Sequence, residues 1–405
     1  MEPVIVFFIS LAFACGLTPL VRMVALRYEY VARPKEERWH KVPTALLGGI
    51  GIFFAFSLPL VFFVREYPSL QLLLLGALLI GGVGLIDDLL HLQPYSKLLG
   101  QIVAACVVIA GGQSLGLFDR SIYFLMLALV WIVGVTNAFN LLDNMDGLSA
   151  GTACIAAFCL VLAGLVTHNP VLVLGASSLL GATLGFLVFN FPPAKIFMGD
   201  SGSLLLGFTL SSLALMGQWE NVTSVMFAFL VPVLVLAVPI FDTAFVSLRR
   251  FFNDRPISIG GRDHTSHCLV SFGISERTTV LLFYVMSMIC GSLAVLGLQY
   301  DWLYPSLLAI LIVIMFMYFG IFLSGIVGYG ETKTKSAGGA FKISLNFFLM
   351  GKMRIGEIII DSILIAFSFL VVAFISPMLS GIADYTGNKK KFLKAFCLLV
   401  SLSVM

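Results

Sequence analysis

The chain has 405 residues, of which 60% are hydrophobic and only 11% are charged, and its formal net charge is +3. A soluble globular domain carries about 25% charged residues and about 45–50% apolar ones. The composition therefore excludes a soluble enzyme, a disordered chain and a collagen-like repeat. It indicates a helical protein that crosses a membrane several times.

Apolar runs long enough to cross a hydrocarbon layer of about 30 Å recur along the chain. We predict spans, in chain order, at 4–26, 45–64, 71–88, 98–112, 121–140, 148–167, 171–189, 203–217, 224–247, 278–298, 304–327 and 357–379, with a weaker run at 392–405. The predicted fold class is all-α, a polytopic helical membrane protein with about 11 transmembrane helices in its core and one or two C-terminal hydrophobic segments.

Lysine and arginine are distributed unevenly between the two sides of the membrane. If the N-terminus lies outside, the inside loops 27–44, 89–97, 141–147, 190–202, 248–277 and 328–356 hold 17 of these residues, and the outside loops hold only Arg65 and Arg120. Positive residues accumulate in cytoplasmic loops. We therefore predict an outside N-terminus and cytoplasmic loops up to residue 356.

A change in composition after residue 328 divides the chain into three segments. Residues 1–327 form the membrane-embedded core, and the polar segment 328–356 is a cytoplasmic linker. Residues 357–405 form a C-terminal membrane appendage whose role and topology stay open, because its four lysines would lie outside after a twelfth full span.

Acidic residues gather at the ends of predicted spans on the inside face. Asp87 and Asp88 end the third span, Asp143 and Asp146 follow the fifth, and Asp200 precedes the eighth. Acids within or beside membrane helices are costly and mark functional sites by default. Each group also has a plainer interpretation, since a solvated helix end or a helix N-cap uses the same residue types.

The mixture of residues on this face favours a metal and phosphate site. Clustered oxygen ligands suit Mg²⁺, which retains waters and shares substrate phosphates. Basic residues in the same loops suit phosphate oxygens, and the glycine-rich string around Asp200 allows a close approach of the backbone. Together they predict a cytoplasmic site that joins a soluble nucleotide substrate to a lipid.

Five strings carry a resemblance to a known family: RWHKVPTALLGG at 38–49, GLIDDLL with the following lysine and glutamine at 84–101, NAFNLLDNMDGLSAG at 137–151, NFPPAKIFMGDSGSLLLG at 190–207, and PIFDTAFVSLRR with GRDHTSH at 239–267. The chain resembles the polyprenyl-phosphate N-acetylhexosamine-1-phosphate transferases. These comprise the bacterial undecaprenyl-phosphate GlcNAc-1-phosphate transferases of glycosyltransferase family 4 and the related phospho-MurNAc-pentapeptide transferases. The likeness extends over residues 1 to about 327.

The resemblance implies roles for particular positions. Asn140 and Asp200 match residues that bind Mg²⁺, with Mn²⁺ as an alternative, together with the substrate pyrophosphate. Asp87 and Asp88 match tandem acids implicated in catalysis, where Asp87 acts as a base or positions the lipid phosphate. Lys97 matches a basic residue near that phosphate. Positions that match the nucleotide-sugar site are His40, Thr44, Asp143, Asp146, Asn190, Phe197, Arg262, Asp263, His264 and His267.

The reaction implied is transfer of a HexNAc-1-phosphate group from a UDP-N-acetylhexosamine to undecaprenyl phosphate, with release of UMP. GlcNAc is the favoured sugar. The loop string Asp263-His264-Thr265-Ser266-His267 departs from the three-histidine form of the peptidoglycan enzymes, which disfavours that branch but leaves the exact hexosamine open. Another UDP-HexNAc donor or phospho-MurNAc-pentapeptide is the alternative, and a secondary transporter is a remote one. The expected setting is a bacterial inner membrane with no nucleic-acid partner. The resemblance makes a homodimer possible, and the sequence leaves the oligomeric state open.

Overall fold

The computed structural model of the protein describes residues 1–32, 43–111, 122–217, 225–252 and 263–299, and beyond them residues 307, 310, 312–320 and 323. The predicted site residues His40 and Arg262, the linker 328–356 and the appendage 357–405 lie outside the described residues, as do the predicted spans at 357–379 and 392–405.

Helices form almost all of the described structure. In chain order the elements are α1 (Glu2–Arg27), β1 (Val31–Ala32), β2 (Thr44–Ala45), α2 (Gly48–Leu60) with a 3₁₀ turn at Val61–Phe63, α3 (Pro68–Leu90), α4 (Pro94–Ala110), α5 (Ile122–Leu142), α6 (Leu148–Val166), α7 (Pro170–Asn190), α8 (Gly199–Met216), α9 (Val225–Val235), α10 (Ala237–Phe252), α11 (Thr265–Ser271) and α12 (Glu276–Gly297). This confirms the all-α class.

Six of the described helices, α1, α3, α5, α6, α7 and α12, are long and apolar enough to cross a membrane, and α2 and α4 are shorter apolar helices. The chain is therefore a polytopic helical membrane protein. The total of about 11 core spans stays a prediction.

The predicted span at 224–247 is not one continuous helix, and its crossing of the membrane stays a prediction. The segment forms two helices, α9 and α10, with a break at Leu236. Pro239 has no backbone N–H to offer the carbonyl of Val235, so a continuous helix would lose a hydrogen bond at this turn. Hydropathy is uniform across the break, which explains why a window of apolar residues missed it. The short helix α11 was also not predicted.

Helix α8 lies at the centre of the helix packing and is buried from Ser201 to Met216. It packs against α3 and α5, while α7 packs against α1 and α6. Glycines permit this close packing, as small residues do in membrane helices. A Cβ atom on Gly49 would lie 2.2 Å from the Gly202 backbone nitrogen, and one on Gly84 would lie 2.6 Å from the Asp200 carbonyl oxygen. The N-terminus of α8 is thereby wedged between α2 and α3.

A small two-stranded sheet ties the first inside loop to the segment that precedes α8. Strands β1 and β2 pair antiparallel, and Ala45 also bridges Ile196 in parallel. The Phe197 N–H donates to the Ala45 carbonyl at 2.8 Å, and the Gly48 N–H donates to the Phe197 carbonyl at 2.9 Å. These backbone bonds place the string 196–198 against the start of α2.

Candidate active site

Four side chains from four helices meet around the ammonium group of Lys97; we call them the Lys97 cluster. Lys97 Nζ lies 2.9 Å from Asp87 Oδ2, 2.6 Å from Asp200 Oδ2 and 3.3 Å from Asn140 Oδ1. The Lys97 side chain is 16% exposed, Asp87 10% and Asp200 34%. The structure thus brings together two of the predicted catalytic residues and both predicted metal ligands.

Further hydrogen bonds orient the members of this cluster. Asn140 Nδ2 donates to Asp200 Oδ1 at 2.7 Å and to Ser203 Oγ at 2.9 Å, which turns the Asn140 amide oxygen toward Lys97. Helix α3 ends at His91 in a left-handed conformation, and the next N–H, that of Leu92, donates to Asp87 Oδ1 at 2.7 Å. Asp87 Oδ2 is consequently the oxygen that faces the cluster.

Asp88 faces away from the Lys97 cluster and binds the N-terminus of α8. Its Oδ1 accepts from the Asp200 N–H at 2.7 Å, and its Oδ2 accepts from the Ser201 N–H at 3.0 Å. A carboxylate at a helix N-terminus satisfies otherwise unpaired N–H groups and interacts favourably with the helix dipole. Gly199, at φ +70, leaves room for it, since a Cβ atom there would lie 2.6 Å from Asp88 Oδ2. Asp88 therefore positions Asp200.

The plainer capping interpretation of Asp200 does not describe the structure. Asp200 lies in the first turn of α8, but its side chain binds Lys97 and Asn140, and the N-cap position is Met198. Similarly, α6 begins after Gly147, and neither Asp143 nor Asp146 occupies its N-cap position.

The loop after α5 is joined to the loop before α8. Asp146 Oδ2 accepts from the Ala194 N–H at 2.8 Å. Asn190 accepts from the Gly147 N–H at 3.1 Å and donates to the Ile196 carbonyl at 2.9 Å. Asp146 and Asn190, both predicted donor-binding residues, thus shape the loops next to the cluster. Their part in binding a donor stays a prediction.

The remaining predicted donor residues of these loops lie nearby. Thr44 is buried in β2 at 7% exposure, and Asp143 and Phe197 are half-buried. Phe197 is held through its backbone between Ala45 and Gly48. Thr44 in β2 and Phe197, whose N–H binds the next residue of β2, therefore lie close together just before α8 begins.

A second polar cluster forms where α10 meets α11; we call it the His264 cluster. Asp242 Oδ2 lies 2.8 Å from His264 Nδ1, and Asp242 Oδ1 accepts from the Thr265 N–H at 2.9 Å and from the Thr265 hydroxyl. The His267 ring centroid lies 6.1 Å from that of His264, and both histidines are buried. These histidines are therefore not solvated surface residues.

Asp263 pairs with a buried arginine of α10. Arg250 Nε donates to Asp263 Oδ2 at 2.8 Å, and Arg249 Nη1 donates to the Asp263 carbonyl at 3.3 Å. Burial acts to raise the pKa of Asp263, but the hydrogen bond and charge of Arg250 outweigh it and hold that pKa below its ordinary value. Asp263 is therefore ionised at neutral pH and anchors the loop to α10.

Sequence reasoning missed several polar residues that join these clusters. Ser266 Oγ donates to Asn144 Oδ1 at 2.7 Å and so links α11 to the loop after α5. Gln101 and Asn137 exchange amide hydrogen bonds of 3.2 and 2.6 Å between α4 and α5, about one turn from Lys97 and Asn140. The available signal was a polar side chain inside an apolar run, which membrane helices rarely tolerate without a partner.

Asp200 and Asn140 are the residues of the Lys97 cluster whose oxygen atoms could take part in holding a magnesium ion. In the described part of the chain, no group of three or more His, Cys, Asp and Glu side chains is arranged to hold a metal alone. Asp200 Oδ2 and Asn140 Oδ1, however, converge on the position that a cation, Lys97 Nζ, takes. One or two carboxylates supplemented by phosphate oxygens and water are the usual environment of Mg²⁺.

Comparisons with known proteins identify a family and several relatives of this chain. The profile of a family described as "Glycosyl transferase family 4" matches residues 70–218. A protein of Bacillus subtilis named "Probable undecaprenyl-phosphate N-acetylglucosaminyl 1-phosphate transferase" is 36% identical over 327 residues, which cover 78% of this chain and 90% of that protein.

Two further relatives carry related names. The "Decaprenyl-phosphate N-acetylglucosaminephosphotransferase" of Mycobacterium leprae is 33% identical over 308 residues, covering 66% of this chain and 77% of the relative. The "Phospho-N-acetylmuramoyl-pentapeptide-transferase" of Heliobacterium modesticaldum is 31% identical over 303 residues, covering 69% of this chain and 91% of the relative. The range 70–218 that the family profile matches includes all four residues of the Lys97 cluster.

Proposed function

Since the chain belongs to glycosyl transferase family 4, the polyprenyl-phosphate N-acetylhexosamine-1-phosphate transferases, we propose that it transfers GlcNAc-1-phosphate from UDP-GlcNAc to undecaprenyl phosphate. The products are a lipid-linked pyrophosphoryl sugar, which initiates a cell-surface glycan, and UMP. The proposed setting is the cytoplasmic face of a bacterial inner membrane, with the N-terminus outside.

The Lys97 cluster is the observation that carries this proposal. In it, two carboxylate oxygens and one amide oxygen lie within 3.3 Å of the ammonium nitrogen of Lys97, where α3 and α5 end and α4 and α8 begin. Two phosphorylated substrates need such a mixture, because cationic groups hold phosphate oxygens and carboxylates orient the cations. A transporter would instead place its ionisable residues near the bilayer midplane.

In the proposed reaction an oxygen of the lipid phosphate attacks the β-phosphorus of the UDP-sugar. The new P–O bond forms as the bond from that phosphorus to the UMP oxygen breaks, and UMP leaves with the electron pair. A phosphate monoester has a second pKa near 6, so the attacking group is already largely ionised at pH 7. Asp87 is therefore assigned to orient Lys97 rather than to remove a proton.

Lys97 is proposed to hold the acceptor phosphate through its ammonium group. Asp200 and Asn140 would hold Mg²⁺, or Mn²⁺ as an alternative, and the ion would neutralise pyrophosphate charge. Asp88 keeps Asp200 in place by binding the start of α8. Holding both substrates in line contributes about 7–11 kcal/mol to lowering a bimolecular barrier, which makes positioning the largest task of these residues.

The donor site is proposed to include the loops that Asp146, Asn190 and the Phe197 backbone hold together. The His264 cluster borders them through the bond from Ser266 to Asn144. Residues 1–327 are proposed as the transferase core, with 328–356 as a cytoplasmic linker. The similarity covers 90% of the Bacillus subtilis relative but only 78% of this chain, which supports a segment of this chain beyond the transferase core.

UMP release tests this function directly. The purified full chain would be mixed with undecaprenyl phosphate, Mg²⁺ and, in separate reactions, UDP-GlcNAc, UDP-GalNAc, a UDP-diacetamido sugar and UDP-MurNAc-pentapeptide. We expect release with UDP-GlcNAc, its loss with chelator and in Asp200→Asn, and its retention in Glu66→Gln, a matched carboxylate-to-amide control at an exposed position. Release with a different donor would correct the sugar, and no release with any donor would refute the proposal.

A further inference from the structure

We propose that Asp242 is a positioning residue of the donor site, which fixes the tautomer and orientation of the His264 ring and closes the N-terminus of the helix that follows it. The inference rests on the proposed transferase function. Asp242 lies in α10, inside an apolar stretch, and no string or comparison assigns it a role of its own.

Both oxygens of the Asp242 carboxylate are engaged with α11. Asp242 is 1% exposed, and its Oδ2 lies 2.8 Å from His264 Nδ1. Its Oδ1 accepts from the Thr265 N–H at 2.9 Å and from the Thr265 hydroxyl. A buried carboxylate is costly unless it is fully hydrogen-bonded, as it is here. The Asp242 carboxylate thus stays buried between α10 and α11 and binds the first turn of α11.

The contact with Nδ1 determines what the other ring nitrogen can do. A carboxylate oxygen can only accept, so Nδ1 must carry the proton in this hydrogen bond. In a neutral ring Nε2 is then an acceptor, and in a protonated ring it is a donor. In either case Nε2 is the nitrogen available to a substrate, and the carboxylate holds the ring plane that aims it.

The His264 ring is connected to the donor side of the site rather than to the acceptor phosphate. Ser266, two residues after His264, donates from its hydroxyl to Asn144 at 2.7 Å. Asn144 belongs to the loop that Asp146 and Gly147 join to residues 190–196. The Lys97 cluster, proposed to hold the acceptor phosphate, is built from other helices. We therefore infer that Nε2 of His264 meets the sugar or the diphosphate of the donor.

Asp88 offers a precedent within the same molecule. Asp88 in α3 accepts the N–H groups at the start of a different helix, α8, and so holds Asp200, a residue of the site. Asp242 repeats this arrangement for α11, with a histidine in place of an aspartate as the residue that is held.

The variant Asp242→Asn separates the two tasks of the carboxylate. An asparagine retains an oxygen for the Thr265 N–H, but it presents an NH₂ group to His264 Nδ1 and so favours the opposite tautomer. The kinetic constants for UDP-GlcNAc and for undecaprenyl phosphate would be measured in the full chain for Asp242→Asn, His264→Ala and the double variant. Thr243→Val, an isosteric change at the next residue of α10, whose buried hydroxyl makes no hydrogen bond among the described residues, is the matched control.

We expect Asp242→Asn to lower kcat/KM for the donor about 10- to 100-fold, by analogy with the loss found when the carboxylate behind a metal-binding histidine is removed. The KM for undecaprenyl phosphate should stay near that of the parent chain, as should the thermal midpoint. The double variant should match His264→Ala alone, because Asp242 acts through that ring. Thr243→Val should remain close to the parent chain.

Three results would overturn the inference. Asp242→Asn could retain the donor kinetics of the parent chain, its effect could multiply with that of His264→Ala, or it could prevent folding while His264→Ala folds normally. The last result would make Asp242 a purely structural residue. A parent chain that releases no UMP with any donor would instead refute the transferase function, and the two failures are thus distinguishable.

Discussion

Replacing Lys97 by methionine removes the charge at the centre of the Lys97 cluster while keeping a side chain of similar length. In the parent chain the ammonium group donates three hydrogen bonds, to Asp87, Asp200 and Asn140, at 2.9, 2.6 and 3.3 Å. The proposed function transfers at least one of these donors to the acceptor phosphate. We therefore expect Lys97→Met to impair use of undecaprenyl phosphate more than use of the UDP-sugar.

The magnitude follows from the value of a charged hydrogen bond. Such a bond contributes about 1.5–3 kcal/mol, and each 1.36 kcal/mol corresponds to about tenfold in rate. One lost contact to the acceptor in the transition state thus lowers kcat/KM roughly 10- to 150-fold. Because the Asp200 side chain is 34% exposed, solvent screens its contact with Lys97, and the lower half of this range is expected.

UMP release at varied concentrations of undecaprenyl phosphate, with saturating UDP-GlcNAc, measures this loss. Lys195→Met is the matched control, because Lys195 is an exposed lysine of the neighbouring loop 191–198 whose carbonyl, not its ammonium group, is bound by Arg22. An acceptor kcat/KM within about threefold of the parent chain in Lys97→Met would refute the reasoning. A selective loss for the donor would place Lys97 on the wrong substrate.

Three further predictions rest on individual contacts. Asp88→Ala should lower the thermal midpoint, because it removes the acceptor of two N–H groups of α8, a change that costs about 0.5–2 kcal/mol at a helix N-terminus. Asp87→Asn should lower kcat/KM for the acceptor no further than Lys97→Met does, because Asp87 acts through Lys97, and it should change the midpoint little. Equal midpoints in the two aspartate variants would contradict this division. Gly49→Ala should prevent accumulation of folded protein, because its Cβ atom would lie 2.2 Å from a backbone nitrogen of α8. Gly82→Ala should be tolerated, because nothing lies within 4 Å of a Cβ atom at that position. Similar yields of both variants on size-exclusion chromatography would argue against this packing. The pairing of Asp263 with Arg250 holds the pKa of Asp263 below its ordinary value of 3.8, so its stabilisation is fully present above that pH and is lost as the pH falls below it. The fall in thermal midpoint between about pH 4 and pH 2 should therefore be smaller in Asp263→Asn than in the parent chain. An equal fall would show that the pair does not contribute.

Much of the fold could be predicted because hydropathy reports burial in lipid and in helix packing alike. The predicted run 148–167 corresponds to α6 at Leu148–Val166, and 171–189 to α7 at Pro170–Asn190. The break between α9 and α10 could not be predicted in this way, since apolar residues continue through it. Only the missing N–H of Pro239 marks it, and a proline inside a membrane helix does not by itself end the helix.

The candidate site was predictable in its membership but not in its geometry. Consecutive residues of a helix point about 100° apart, so Asp87 and Asp88 must face different neighbours. The sequence does not say which of the two faces the cluster. The sequence likewise gives Asp242 no partner, because His264 and Thr265 lie more than 20 residues further along the chain.

The contacts at the start of α8 have a consequence for how the specificity of such an enzyme can change. The backbone of α8 touches Gly49 of α2 and Gly84 of α3 so closely that neither neighbour can gain a side chain. Helix α11, in contrast, is bound to its surroundings through side chains such as Asp242 and Ser266, which can be exchanged one at a time. Selection for a new sugar, in nature or in the laboratory, should therefore accumulate substitutions around α11, while the Lys97 cluster, which we propose binds the phosphate groups, stays the same.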